Sequence, residues 1–260
     1  MDWMHTAAGL GVGFIVGLTG VGGGALMTPL LVLFFGVAPA IAVGTDLLYA
    51  AITKLGGVWV HGRRGSVDWK ITGLLALGSL PAALTAIVLL KTFAVNTRHF
   101  EAVITGTLGG ALILTALALL FKERLRNFAR RNGHAIKTGS GMKRIGAATI
   151  ATGAALGVLV TISSIGAGAL GAVALFFLYP RLSTVQIVGT DLAHAVPLTA
   201  VAGLGHFYLG TVDAALLLSL LSGSLPGIYL GSHLGARIPE HVLRPVLAGM
   251  LILIGGRLVW

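Results

Sequence analysis

Uncharged apolar runs of about 18 residues or more recur along this chain of 260 residues, each long enough to cross roughly 30 Å of hydrocarbon. Backbone amides and carbonyls cannot be left bare in lipid, so such a chain has two options, a helix bundle or a closed barrel. The runs are continuous, unlike the ~10-residue alternating segments of a barrel. An all-α polytopic membrane protein is therefore expected. Only 10% of the residues are charged, against about a quarter in a soluble domain. Cysteine is absent, which removes disulfides, thiolate metal sites and cysteine nucleophiles. No lysine or arginine precedes the first apolar segment, so a cleaved signal peptide is not expected.

The chain repeats itself. At a shift of 145 residues "VGTDL" (43–47) meets "VGTDL" (188–192), His61 meets His206, Gly65 meets Gly210, "VD" (67–68) meets "VD" (212–213) and "GSLP" (78–81) meets "GSLP" (223–226). At a shift of 144, "VGGGAL" (21–26) meets "IGAGAL" (165–170). Each half opens with a glycine-interrupted apolar stretch, about 5–37 and 146–179, followed by three further segments. About eight hydrophobic segments result. The expected organisation is an N-terminal transmembrane repeat (1–121), a basic cytoplasmic loop (122–144) and a C-terminal transmembrane repeat (145–260).

Charge orients the halves. If each glycine-broken stretch is a hairpin returning to its own side, each half has three full crossings and the second half is inverted. The loop "HGRRGSVDW" then lies on the cytoplasmic side with residues 122–144, which hold eight of the 18 lysines and arginines. Its counterpart "HFYLGTVDA" lies outside and has neither residue. Positive residues mark the cytoplasmic face, and two inverted repeats are a common transporter plan. Both termini are then outside. The net charge of +10 reads as this topological signal and not as a nucleic-acid surface.

Glycine at 20, 22, 23 and 24 needs a reason, because it weakens a helix wherever it stands. One reason is close helix packing, assigned here to Gly9, Gly13 and Gly17. For Gly22, Gly23 and Gly24, contiguous and mirrored by Gly166 and Gly168, a helix break deep in the protein is expected. A new helix then starts near Ala25 with free N–H groups and partial positive charge, which suits an anion. Two such starts facing one point make an anion site without arginine.

Polar residues inside apolar segments are the other candidates. Asp46 and Asp191 occupy equal places in the two "VGTDL" copies. Each either couples transport to protons or caps helix N–H groups. Thr45 and Thr190 either face the substrate or bond their own helix. Lys54 has Thr199 as its counterpart; it attracts the anion, pairs with an aspartate, or snorkels to the interface. His194 either titrates in the coupling path or is a packed core histidine. His61 and His206 are read as interfacial, on opposite faces, so a shared metal ion is not expected. Asp68 and Asp213 are expected to cap the helices that follow them. The tryptophans are assigned to interfacial belts.

"GVGGGALMTPLL", "GTDLLYAAITK", the "GSLP" segments, the basic centre and the duplicated half together resemble the TauE/SafE family of membrane transporters, over nearly the whole chain. The resemblance implies inverted repeats of about eight segments and transport of small anions, often sulfur oxyanions or organosulfonates. It carries a substrate role onto Gly22, Gly23, Gly24, Thr45 and Asp46. Two departures stand out: the second motif is "IGAGALG" with no following proline, and the usual serine of a "GTS"-like segment is aspartate in both halves. The functional expectation is a secondary transporter in the cell membrane exporting sulfite or a related organosulfur anion, with protons as the coupling ion. The alternative is an anion channel on the same fold. No cofactor and no catalytic activity are expected, since no histidine lies close in sequence to Ser163 or Ser164.

Overall fold

A computed structural model describes residues 3–19, 24–93, 97–132, 139–234 and 240–259. Among them are ten helices and no strand: α1 (Trp3–Thr19), α2 (Gly24–Phe34), α3 (Pro39–Arg63), α4 (Trp69–Phe93), α5 (Thr97–Asn132), α6 (Gly139–Ser163), α7 (Ala169–Leu178), α8 (Thr184–Tyr208), α9 (Ala214–Leu234) and α10 (Glu240–Val259). Six of them (α3, α4, α5, α6, α8 and α9) are long and apolar enough to cross a bilayer. By contrast α2 and α7 have 11 and 10 residues, roughly 15–17 Å at 1.5 Å per residue, about half a bilayer. The chain is a polytopic all-α membrane protein. Its outward faces carry exposed Leu77, Leu84, Val88 and Leu253, the side chains a lipid environment accepts.

Each short helix folds back beside its predecessor. The ring of His5, early in α1, lies 4.7 Å from that of Phe35, just after α2. The Thr149 hydroxyl, partway along α6, is 2.7 Å from the Tyr179 hydroxyl just after α7. These two pairs are related by the same 144-residue shift as the glycine motifs. Both α1–α2 and α6–α7 are thus hairpins, the first closing near the start of α1 and the second beside Thr149 of α6.

Glycine determines which helices lie together. A Cβ on Gly9 or Gly13 of α1 would strike the backbone of Leu220 or Ser224 of α9, and one on Gly223 or Gly227 of α9 would strike Thr6 or Leu10. Partner numbers rise together, so α1 and α9 run parallel. The same holds for α4 and α6, where Gly78 abuts Ile150, Gly153 abuts Leu75 and Gly157 abuts Ser79. At these points glycine is required because two backbones touch. The "GSLP" glycines therefore belong to helix packing, and the first helix of each half leans on a helix of the other half.

Between these pairs α3 and α8 cross antiparallel. Gly44 of α3 meets His206 and Thr211 at the far end of α8, while Gly189 of α8 meets His61 and Ser66 at the far end of α3. The loops after the two helices are built alike. Gly65 (φ 63°) and Gly210 (φ 73°) turn the chain. The Nδ1 atoms of His61 and His206 lie 2.8 Å from the hydroxyls of Ser66 and Thr211. Asp68 Oδ1 accepts from the amides of Lys70 and Ile71, and Asp213 Oδ1 from those of Ala215 and Leu216, at 2.9–3.1 Å. Both aspartates are the helix caps that the sequence suggests.

His206 departs from the interfacial reading. It is buried, and its Nε2 donates to the Thr161 carbonyl at 2.9 Å. His61 is only half-buried. The centre of the chain also differs from a simple loop. Helix α5 continues past 121 to Asn132 and α6 starts at Gly139, because lysine, arginine and glutamate are good helix formers once outside the apolar run. Buried Met27, Leu31, Leu108, Leu112 and Leu251 fill one side of the core, and Val43, Leu47, Leu198 and Ala202 the other.

Candidate functional site

The second helix break lies at the centre of the polar interior. Helix α6 ends at Ser163 and α7 begins at Ala169. Between them Ser164 (φ 58°), Gly166 (φ 121°) and Gly168 (φ 124°) take positive φ. Glycine adopts this freely, whereas serine does so at a cost. Ser163 Oγ accepts from the Ile165 amide at 3.2 Å, which helps end α6. The N-cap of α7 is Gly168, with no side-chain cap. The amides of Leu170 and Gly171 both donate to the Gly166 carbonyl at 3.1 Å. The two glycines expected at the second break, Gly166 and Gly168, therefore both lie in it.

Carboxylates come to these half-helix starts from the long helices. Asp191 of α8 is 2% exposed and lies against the first turn of α7, where a Cβ on Gly171 would strike its Oδ1. The Gly168 amide is directed at the same carboxylate. Asp46 of α3 is fully buried. Its Oδ2 accepts from Thr28 Oγ1 of α2 at 2.5 Å and from Ser164 Oγ of the break at 2.8 Å. In both halves the aspartate of "VGTDL" reaches the short helix of its own hairpin. Asp46 also joins the two halves through Ser164.

Lys54, 5% exposed, donates from Nζ to the Ala167 carbonyl within the break at 3.1 Å. It lies within electrostatic reach of both Asp46 and Asp191. One cation and two carboxylates are thus gathered around five residues of irregular backbone. Buried charge is costly in a membrane and is retained mainly where it serves function. Oδ1 of each aspartate has no hydrogen-bond partner, so each carboxylate keeps unspent capacity toward a ligand, a proton or water.

One turn along, α3 and α8 carry Tyr49 and His194 at equivalent positions. His194 Nε2 is 2.8 Å from Ser79 Oγ of α4, while its Nδ1 has no partner. Tyr49 is set against Ser224 of α9, the counterpart of Ser79, although no hydrogen bond closes between the two hydroxyls. Each of these pairs again spans the two halves.

Thr45 and Thr190 sit elsewhere. Thr45 Oγ1 accepts from the Asp213 amide at 3.1 Å, and Thr190 Oγ1 from the Asp68 amide at 3.0 Å. They bind the mirrored loops to the opposite half, away from the break. Of the first glycine motif, Gly22 and Gly23 lie outside the described residues, while Gly24 and Ala25 form the start of α2. The sequence reading missed Thr28, the hydroxyl role of Ser164, and the partners Ser79 and Ser224. The signal was present for the last two, which are the serines of the repeated "GSLP". Among the described residues no group of three metal-ligating side chains occurs.

Comparison with known proteins agrees with this architecture. The family model described as sulfite exporter TauE/SafE matches residues 5–258. The chain is 41% identical to the probable membrane transporter protein YjnA of Bacillus subtilis (strain 168), over 96% of this chain and 97% of that one. It is 30% identical to the probable membrane transporter protein YdhB of the same organism, over 93% and 96% of the two chains. A probable membrane transporter protein of Xylella fastidiosa (strain Temecula1 / ATCC 700964) is 28% identical over 96% and 91%. No solved structure matches the chain. With half-helices, buried carboxylates and near-complete coverage by one family model all in agreement, the chain belongs to the sulfite exporter TauE/SafE family and is a multi-pass membrane transporter.

Proposed function

We propose that the protein exports sulfite or a related organosulfur anion by alternating access, using protons bound at Asp46 and Asp191 for coupling. The observation that carries this reading is the Asp191 carboxylate lying against the amide end of α7, with Lys54 holding the Ala167 carbonyl beside it. A helix start of that kind favours negative charge, and here an internal carboxylate already supplies it. An incoming anion competes with that carboxylate. Ionised Lys54, Asp46 and Asp191 together carry one net negative charge, so adding an anion is unfavourable until a carboxylate takes up a proton. Anion binding and protonation are thereby linked.

On this reading Gly166, Gly168, the glycines Gly22 and Gly23 of the first motif, and Gly24 and Ala25 at the start of α2 supply substrate-facing amides. Lys54 supplies fixed positive charge, and His194 lies beside the coupling carboxylates. Thr45 and Thr190 serve positioning, which their bonds to the Asp213 and Asp68 amides support. The antiparallel α3–α8 pair and the two closed hairpins support inverted repeats. The arginines of the 61–69 loop and the basic α5–α6 connection support a cytoplasmic side there, with both termini outside the cell membrane. No step in the scheme calls for catalysis or a cofactor.

The test is sulfite flux in proteoliposomes, with and without a proton gradient. Saturable flux that responds to the gradient is the expected result. Flux that neither saturates nor responds indicates a channel, and no movement of sulfite, sulfonates or other small anions removes the proposal.

A further inference from the structure

A groove of about 480 Å³ opens between α5, α6 and α7 on the outer surface. Its walls include Leu117 and Phe121 of α5, Leu156 and Leu159 of α6, and Leu170 and Val173 of α7. Leu117 and Phe121 are exposed, so the groove faces the bilayer. At one end the Arg124 guanidinium lies over the Phe121 ring, 5.7 Å from its centroid. Here α5 leaves its apolar run and enters the basic stretch 122–144. At the other end Leu159 and Leu170 pack against Gly166, 3.4 and 3.5 Å from where its Cβ would stand. The groove therefore runs from a cationic collar to the second helix break.

We propose that this groove binds an anionic phospholipid, with one acyl chain along α5, α6 and α7 and the phosphate on Arg124. An apolar slot at membrane depth does not hold water, which needs polar partners, so hydrocarbon fills it. Hydrocarbon gains little by leaving the bilayer for an equally apolar wall. Selection among lipids therefore falls to the headgroup. A basic residue near the surface favours an anionic headgroup by about fivefold in affinity. Arg124 suits the task because its planar guanidinium stands over the Phe121 ring and has donors to offer a phosphate. The chain end abuts Gly166, so lipid occupancy bears directly on how α7 sits against α6. This inference stands on the groove and the arginine and does not depend on which anion is transported.

The test uses the full chain in detergent, offered equal phosphatidylglycerol and phosphatidylcholine, with bound lipid counted by native mass spectrometry. Phosphatidylglycerol should be retained about fivefold over phosphatidylcholine. Arg124→Gln should remove the preference while leaving neutral lipid bound. Ala155→Phe, which fills the groove from an exposed position, should lose both lipids. Both variants should elute as the unaltered chain does. Equal binding of the two lipids, a preference that survives Arg124→Gln, or lipid retained at the native level in Ala155→Phe would each overturn the proposal.

Discussion

Lys54 of α3 and Ala167 of the α6–α7 break are joined by a 3.1 Å hydrogen bond across 113 residues of sequence. A charged donor spent on a backbone carbonyl fixes that carbonyl's direction, and so fixes how the neighbouring amides present themselves. The opposite half has Thr199 at the equivalent place, whose hydroxyl donates to the Ala195 carbonyl in its own helix. Among the described residues the tether therefore exists on one side only.

Lys54→Thr makes the two halves alike at this point. It removes both the tether and the fixed cation, so flux should drop by tenfold or more, a loss of about 1.4 kcal/mol. Lys54→Arg should retain more activity than Lys54→Thr. Initial-rate measurements across substrate concentration check this, and equal rates for the unaltered chain and Lys54→Thr would refute it.

Asp191→Asn keeps the shape of the side chain beside Gly171 and removes its ability to exchange a proton. Exchange of substrate at equal pH on both sides should survive. Stimulation by a proton gradient should fall to near onefold. The measurement is the ratio of fluxes with and without the gradient, and an unchanged ratio would exclude Asp191 from coupling.

Gly78→Ala and Gly223→Ala are matched substitutions. Each adds a methyl group where the opposing backbone already touches, at Ile150 for the first and Thr6 for the second. Each should cost about 1–3 kcal/mol through overpacking, lowering the thermal unfolding midpoint in detergent. Gly73→Ala on α4, which meets nothing within 4 Å, should be neutral or slightly stabilising. Similar midpoints for all three would contradict the packing described.

Because the chain has no cysteine, single cysteines report sidedness cleanly. Arg64, just after α3, and Tyr208, the last residue of α8, are exposed at the two mirrored turns. Arg64→Cys should react with an impermeant maleimide only after the inner face is opened, and Tyr208→Cys in intact cells. Labelling of both from the same side would remove the inverted reading.

Much of this fold is legible in the sequence because a bilayer admits few plans. Apolar runs mark the segments, and the recurrence of "VGTDL" and "GSLP" aligns the halves. Gly166 and Gly168 mark a break because they mirror the contiguous glycines of the first motif at the same 144-residue shift. What escapes is which side of each helix faces the interior, since lipid and protein are equally apolar. Hence Thr28 carries no sign in sequence of facing Asp46, and the repeated "GSLP" marks Ser79 and Ser224 without showing that they face His194 and Tyr49. The full burial of His206 escapes for the same reason. The extension of α5 to Asn132 escapes because a basic stretch after an apolar run reads equally well as loop or helix.

The seams of this molecule do not follow its duplication. Backbone meets backbone where α1 rests on α9 and where α6 rests on α4, so joints of direct backbone contact tie one copy to the other. Any displacement that opens the interior to one face must carry a hairpin along with its borrowed neighbour. Under the proposed alternating access the moving parts are accordingly chimeras of the two copies, and covalent continuity is a poor guide to what travels together.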